Sequence, residues 1–519
     1  MPRPLLTNGF MATGKSTVGR RVAELEGVSF EDLDDRVERR AGASVAEIFQ
    51  SAGEDEFRRL ERAELERLLE DPTPRVVALG GGALLSRELR LHALERATVV
   101  TLEAPLDVVV SRASSTRRPL LSGADPAARA RELYEARRIA YAEAHARVTS
   151  GEGDVDRVAR AVSAVWKREP VVVAAGLQSY AVDVGSAIVE ERLAALSGQP
   201  TATLLVTDEN VQAAQGHSLG KSLRGHATLA LEPGEAHKTP AALERVWRAA
   251  RESQLDRGSL FVAFGGGVVC DIAGFAAATW MRGTRWLAVP TTLLSMVDAS
   301  VGGKTAVDLG DAKNAVGAFW QPAGVVCDIS LLGTEPERGF QSALAEVVKS
   351  ALVGDPELLD FLETHADAVL ARDAAALTQV VRRSIGVKAR IVSRDERESG
   401  LRAVLNLGHT VGHALEACTS YSAYTHGEAV ALGLVAALGI GQRLGVTSPS
   451  LSERVRALLA RLGLPTDLSR APLGDAVELL VRDKKRRGTY IHFVVVSAAG
   501  RVETQSLPLE QLRRLALTC

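Results

Sequence analysis

The octapeptide Gly9-Phe10-Met11-Ala12-Thr13-Gly14-Lys15-Ser16 constrains the fold of this chain more than any other feature. The pattern GxxxxGK[ST] calls for a strand before it and a helix after it. Its glycines let the loop curl until backbone N–H groups and the helix N-terminus point at phosphate oxygens. Lys15 then neutralises the β and γ phosphates, and Ser16 reaches Mg2+. A second signal, Leu405-Asn406-Leu407-Gly408-His409-Thr410-Val411-Gly412-His413, lies roughly 390 residues further on, beyond the span of one core. Two separately folded active sites are expected.

Composition narrows the class. A chain of 519 residues fits roughly three or four domains. The formal charge of −2 and pI of 6.6 provide no whole-chain attraction to nucleic acid or anionic lipid, so neither is expected as a partner. Cys270, Cys327, Cys418 and Cys519 form no CxxC pair, which argues against a disulfide framework or a cysteine zinc site. They are expected to be small buried hydrophobes in a reducing cytoplasm. The phosphate loop at Gly9 leaves no room for a preceding apolar leader, and Ala429 to Ile440 is too short to cross a bilayer. That segment is expected to be a core helix, and the protein cytoplasmic.

From Leu5 to about Val165, short apolar runs such as Val76 to Leu79 and Thr98 to Leu102 alternate with charged helical stretches such as Glu54 to Glu70. The alternation predicts a parallel sheet flanked by helices over residues 1–167. Pro170 marks a boundary. A Rossmann-like α/β domain is expected over 171–330, with strands at Thr203 to Thr207, Leu260 to Phe264 and Trp286 to Val289. A mostly helical domain over 331–519 follows, with few strand signals before Tyr490 to Val496.

Around the phosphate loop stand Asp32-Leu33-Asp34, Phe57-Arg58-Arg59, Gly80-Gly81-Gly82, Arg117-Arg118-Pro119-Leu120-Leu121 and Arg137-Arg138-Ile139-Ala140-Tyr141. Phosphoryl transfer needs positioning and positive charge on the phosphate oxygens, and a carboxylated acceptor needs guanidinium forks. In these motifs residues 5–165 closely resemble shikimate kinase. The resemblance implies ATP and Mg2+ held by Gly9, Gly14, Lys15, Ser16, Thr17 and Asp32, with Arg118 closing over the transferring phosphate. It also implies shikimate bound by Asp34, Arg58, Gly80, Gly81, Gly82 and Arg137. Lys15, Asp34 and Arg118 would act in catalysis. Ala12 stands where that family has glycine, so its methyl group crowds the loop if the position needs φ > 0.

By spacing alone, His409 and His413 share one helical face and are the first candidates for a metal pair. His426 follows, and Glu346-Val347-Val348-Lys349 lies upstream, so a three-ligand catalytic zinc site is expected, with positions open to substrate. Gly265-Gly266-Gly267 fails the GxGxxG fingerprint because Cys270 occupies the last glycine position.

The ordered motifs Pro233 to Lys238, Gly265 to Phe275, Pro290-Thr291-Thr292, Gly302 to Thr305, Lys313-Asn314, Ala345 to Lys349 and Asp483-Lys484-Lys485 resemble 3-dehydroquinate synthase over 171–519. The resemblance revises the ligand set to Glu346, His409 and His426 around Zn2+ or Co2+, leaving His413 for proton transfer or substrate contact. It implies NAD contacts at Asp208, Glu235, Lys238, Gly266, Gly267, Asp271, Thr291, Thr292 and Lys313. Substrate contacts are implied at Arg282, Asp298, Lys304, Asn314, Lys349, Lys388, Arg402, Asn406, Lys484 and Lys485, with Glu398, His413 and Lys304 catalytic. Gly339 replaces a glutamate usual after Pro-x-Arg. The implied mechanism is a redox loop inside a lyase: a carbinol is oxidised, the ketone acidifies the adjacent proton, phosphate leaves, hydride returns, and the ring opens and recloses. Such synthases imply a homodimer.

The leading expectation is a bifunctional enzyme of aromatic biosynthesis acting on small anionic substrates. It would phosphorylate shikimate at the 3-position and cyclise 3-deoxy-D-arabino-heptulosonate 7-phosphate to 3-dehydroquinate. The alternative pairs a metal-dependent polyol dehydrogenase, which would release NADH, with a regulatory nucleotide-binding module. The many anion-binding lysines and arginines, together with Asp34, Arg58 and Arg137, favour the first.

Overall fold

The structure is a computed structural model that describes residues 3–114, 125–151, 154–216, 223, 226–310, 312–480, 486–487 and 490–518. Arg117, Arg118, Lys484, Lys485 and Cys519 lie outside the described residues. The chain divides into two compact units, Met1–Asp183 and Val184–Cys519. The division falls beyond Pro170 because Val172 and Ala174 are buried in the core of the first unit. The Glu143 carboxylate also accepts the Gly176 N–H at 3.1 Å. The α/β and helical parts of Val184–Cys519 form one unit rather than two.

In the first unit, strands β1 (Leu5–Gly9), β2 (Ser29–Asp32), β3 (Arg75–Ala78), β4 (Thr98–Glu103) and β5 (Ala146–Thr149) form a parallel sheet in the order β2-β3-β1-β4-β5. Leu5, Leu6, Val76, Val77, Val99 and Val100 are fully buried, as expected of a sheet covered on both faces. The short, polar-looking β1 is nevertheless central and wholly buried. Its loop leads directly into the helix Lys15–Glu26. The helix Val45–Glu70 starts on a Ser44–Glu47 capping box and breaks at Gly53.

The chain continues through the hairpin of β6 (Val171–Val173) and β7 (Tyr180–Gly185). In the second unit, β8 (Thr203–Asp208), β9 (Ala227–Leu231), β10 (Leu260–Gly265), β11 (Arg285–Pro290) and β14 (Val325–Asp328) lie in the order β14-β11-β10-β8-β9, with parallel pairing. Between β11 and β14 the chain forms an antiparallel hairpin of β12 (Lys304–Leu309) and β13 (Ala312–Phe319). Helices Glu337–Gly354, Pro356–Leu370, Ala374–Arg394, His409–Cys418 and His426–Arg443 follow. Ala429 to Leu438 are buried, which makes that segment a core helix. No helix among the described residues is long and apolar enough to cross a membrane. Strand Tyr490–Ala498 pairs with Arg501–Pro508, whose polar alternation gave no strand signal. Cys270 and Cys327 are buried as expected, whereas Cys418 is only half-buried.

Candidate active sites

The phosphate loop closes around its own lysine. Nζ of Lys15 donates to the Gly9 carbonyl at 3.0 Å and to the Phe10 carbonyl at 2.9 Å. Oγ of Ser16 donates to Oδ2 of Asp32 at 2.7 Å, which joins the two groups expected at Mg2+. Gly14 caps the following helix in the left-handed conformation. A cavity of about 480 Å3 is lined by Gly14, Lys15, Ser16, Thr17, Asp32 and Asp34, among others. Ala12 has φ +61°, so the position does require the left-handed region, and its methyl group costs about 1 kcal/mol.

Beside the loop, Asp34, Arg58, Glu61 and Arg137 gather around Gly80 to Gly82. A Cβ built at Gly80 would stand 2.4 Å from Oε1 of Glu61 and 3.3 Å from Oδ1 of Asp34. Both oxygens are buried without a hydrogen-bond partner. Burial raises the pKa of Asp34, with nearby Asp32 adding to the shift, and burial likewise raises Glu61 against the pull of Arg58. Arg58 pairs with Glu61 at 2.6 Å and with Glu54 at 3.1 Å. Its guanidinium packs where a Cβ at Gly82 would lie. Buried Arg137 donates to the Gly81 carbonyl at 3.3 Å, and the Tyr141 hydroxyl donates to it at 2.6 Å. The sequence did not single out Glu61. Its signal is Arg58 three residues earlier, on the same helical face.

In the second unit the expected dinucleotide residues gather at the carboxyl ends of β8, β10 and β11, where ligands of open α/β sheets bind. Gly265 and Pro290 are paired in register, so Gly266 and Gly267 lie near Thr291 and Thr292. A Cβ at Gly266 would meet Thr292 at 3.4 Å. Asp208 ends β8 and accepts the Val211 N–H at 2.9 Å. Lys238 joins Asp271 and Asn314, each at 2.5 Å, and Lys313 lies 3.5 Å from Glu235. Burial pushes Asp271 up to about 6, with Lys238 opposing it.

Three helices bring the metal-type ligands together. Oε1 of Glu346 lies 3.4 Å from Nε2 of His409 and 3.5 Å from Nε2 of His426. That oxygen is buried and has no hydrogen bond. Nδ1 of His409 faces the Leu407 carbonyl at 3.2 Å, and Nδ1 of His426 faces Glu416 at 3.4 Å. Each histidine is thus oriented by its second nitrogen, leaving Nε2 for a ligand. Burial opposes charge on both Glu346 and His426. Lys349 and His426 nevertheless hold Glu346 down at about 2, and Glu346 and Glu416 hold His426 up at about 10. The centre therefore favours a positive charge, and its donor set suits a divalent zinc-type ion. His413 is exposed, its ring centroid 5.0 Å from that of His409. The spacing-based pair His409/His413 is not the buried cluster. Glu416 was missed, although it lies one turn beyond His413.

A charged cluster surrounds this centre. Lys349 pairs with Glu346. Lys388 donates to the Asp298 carboxylate at 2.5 Å and to its carbonyl at 2.6 Å. Burial pushes Lys388 down to about 8 while Asp298 opposes the shift; Asp298 itself is held well below the usual carboxylate range by Lys388 and Lys349 against burial. Glu398 pairs with Lys304 and accepts from Asn406 at 3.1 Å. Buried Arg402 donates to the carbonyls of Glu396 and Gly302. Arg282 is not drawn into the cluster and occupies the exposed turn Trp280–Arg282 at φ +66°. Asn314, expected at the substrate, bonds instead to Lys238. Gly339 sits in the first turn of Glu337–Gly354, with room for a Cβ.

Two such sites define a P-loop phosphotransferase joined to a dinucleotide- and metal-type enzyme of Rossmann-like fold. Family models described as 3-dehydroquinate synthase N-terminal and C-terminal match residues 228–342 and 343–486, and the shikimate kinase model matches 11–167. The 3-dehydroquinate synthase of Citrifermentans bemidjiense is 47% identical over 277 residues, covering 53% of this chain and 76% of that protein. The 3-dehydroquinate synthase of Acidithiobacillus ferrooxidans is 43% identical over 332 residues, 63% of this chain and 91% of that protein. Among solved structures, ValA, the 2-epi-5-epi-valiolone synthase from Streptomyces hygroscopicus subsp. jinggangensis 5008 with NAD+ and Zn2+ bound, is 27% identical. It matches with a TM-score of 0.60 over 65% of this chain and 96% of its own. The chain belongs to the 3-dehydroquinate synthase family and carries a shikimate kinase domain ahead of the synthase.

Proposed function

We propose that the chain is a bifunctional enzyme that phosphorylates shikimate with ATP and Mg2+ and cyclises 3-deoxy-D-arabino-heptulosonate 7-phosphate to 3-dehydroquinate with NAD and a divalent ion. The convergence of Glu346, His409 and His426 on a buried carboxylate oxygen without a hydrogen bond carries the synthase reading. Bound there, the ion would polarise a substrate hydroxyl, and NAD+ would take up and return a hydride. Lys349, Lys388 and Arg402 supply cations for a carboxylate and a phosphate. Lys304 and Asn406 hold Glu398 for proton transfer, and exposed His413 would contact substrate or move a proton beside His409. Lys238, Asp271, Thr291 and Thr292 would hold the dinucleotide. Asp208, Glu235, Gly266, Gly267 and Lys313 would flank it.

In the kinase unit, Lys15, Ser16 and Asp32 would hold the nucleotide and its ion. The raised pKa of Asp34 suits it to accept the proton of the attacking hydroxyl. Arg58 and Arg137 would fork the acceptor carboxylate, which the glycines 80 to 82 admit closely. We assign the kinase to residues 1–167 within the first unit and the synthase to the second unit, and place both reactions in the cytoplasm. A homodimer through the synthase half would cover Leu309, Val316 and Phe319, which the β12–β13 hairpin exposes; sedimentation of the Leu309→Asp variant tests it.

Assays of both half-reactions on the purified full chain, with and without a zinc-selective chelator in excess Mg2+, test the reading. Chelation is expected to stop phosphate release by the synthase and spare ATP consumption with shikimate. Net NADH during synthase turnover would instead favour the polyol dehydrogenase.

A further inference from the structure

We infer that Ser342 is a positioning residue that sets the distance between the ligands Glu346 and His426; the inference rests on the Glu346–His409–His426 reading above. Ser342 and Glu346 are four residues apart on helix Glu337–Gly354, hence on one face. His426 is the first residue of its own helix, whose N-cap is Thr425. Nothing in that connection alone fixes where the helix start lies relative to Glu346.

The buried Ser342 hydroxyl oxygen supplies the link. It accepts the Gly427 N–H at 3.0 Å and the Thr425 hydroxyl at 2.8 Å, gripping the residues on both sides of His426. Thr425 in turn accepts the Glu428 N–H, and Glu428 accepts the Thr425 N–H at 2.8 Å. One turn earlier, Arg338 forms a two-pronged pair with Glu428 at 2.9 and 2.8 Å. Three successive turns, at 338, 342 and 346, therefore meet residues 428, 425 with 427, and 426. Only the middle rung combines burial with contact to both neighbours of the ligand.

The backbones also approach closely. A Cβ at Gly427 would fall 1.8 Å from the Ser342 carbonyl oxygen, so the serine meets the helix start without any intervening side chain. Loss of the hydroxyl would leave the Gly427 N–H buried and unpaired, and the helix start would shift to recover a partner. Such a shift moves Nε2 of His426 relative to Glu346. A zinc-type ion tolerates only small changes in its ligand distances.

The test is zinc affinity of the full chain, measured by competition with a chromogenic chelator, together with the visible spectrum of the Co2+-loaded protein. Ser342→Ala is expected to weaken zinc binding about ten- to hundredfold, the usual effect of removing a group that orients a ligand, and to alter the Co2+ bands. Thr425→Val is expected to act in the same direction, while Thr425→Ser, which keeps the hydroxyl, retains parental affinity. Thermal unfolding of the second unit, which carries Ser342 and Thr425, serves as an internal check of folding. Zinc affinity and Co2+ bands of Ser342→Ala or of Thr425→Val that match the parent would overturn the inference. Failure of the parent itself to bind zinc in a Glu346-dependent way would instead sink the metal reading.

Discussion

The Glu335 carboxylate accepts the Leu293 N–H at 2.9 Å, tying the entrance of helix Glu337–Gly354 to the turn that follows Thr291 and Thr292. The helix proposed to carry a metal ligand and the loop proposed to hold the dinucleotide are thereby joined through one buried acid.

That acid makes the stability of the synthase unit depend on pH. Burial pushes Glu335 up to about 7, against the Leu293 N–H and Arg372. Because its folded pKa exceeds its value of 4.5 in the unfolded chain, the protonated form stabilises the fold. The contribution is complete below 4.5 and is lost as pH rises through 7. A shift of this size corresponds to about 3 kcal/mol. The thermal midpoint of the second unit is expected to carry a component that falls across that range. Calorimetry of Glu335→Gln, neutral at every pH, should lack it.

Metal content and turnover should separate at the histidines. His413→Ala is expected to keep its zinc while losing roughly a hundredfold or more in synthase rate. His409→Ala and Glu346→Gln should lose both. Elemental analysis after dialysis, paired with phosphate-release assays, distinguishes the two patterns; loss of zinc from His413→Ala would contradict the ligand assignment.

Ala12→Gly should relieve the left-handed backbone at position 12. The gain is about 1 kcal/mol, partly offset by the freedom glycine adds to the unfolded chain. A small rise in the melting temperature of the kinase unit, with no rise in KM for ATP, is expected. A drop in melting temperature would show that the methyl group packs favourably.

Arg58→Ala removes the cation beside buried Glu61 and opens the acceptor pocket. The expected result is a KM for shikimate raised more than about tenfold, from the lost charge-assisted bonds, with KM for ATP nearly unchanged. Denaturant unfolding should report a loss of about 1–3 kcal/mol, the cost of an unsatisfied buried group. Equal rises in both KM values would argue for a general collapse of the site.

Much of this was legible in residue order. The phosphate loop announced its strand and helix because the backbone can cradle phosphate in few ways, and apolar runs at Val76, Thr98 and Leu260 marked strands buried on both faces. Spacing misled where two histidines shared a helix face but only His409 turned inward, since burial depends on the neighbouring helix. Glu61 and Glu416 were hidden for the same reason: a carboxylate on a charged helix reads as surface until the packing covers it. The strand Arg501–Pro508 carried too little apolar alternation to be seen before its partner was in place.

The close approach at Gly427 has a counterpart at Gly433, where a Cβ would stand 2.0 Å from the Gly408 carbonyl oxygen. The helix that begins at His426 thus touches the turn before His409 main chain to main chain. Transplanting the three ligands onto another bundle would not reproduce the centre unless the helix crossing travelled with them, and a single added methyl at either glycine would spread the ligands apart as surely as deleting one.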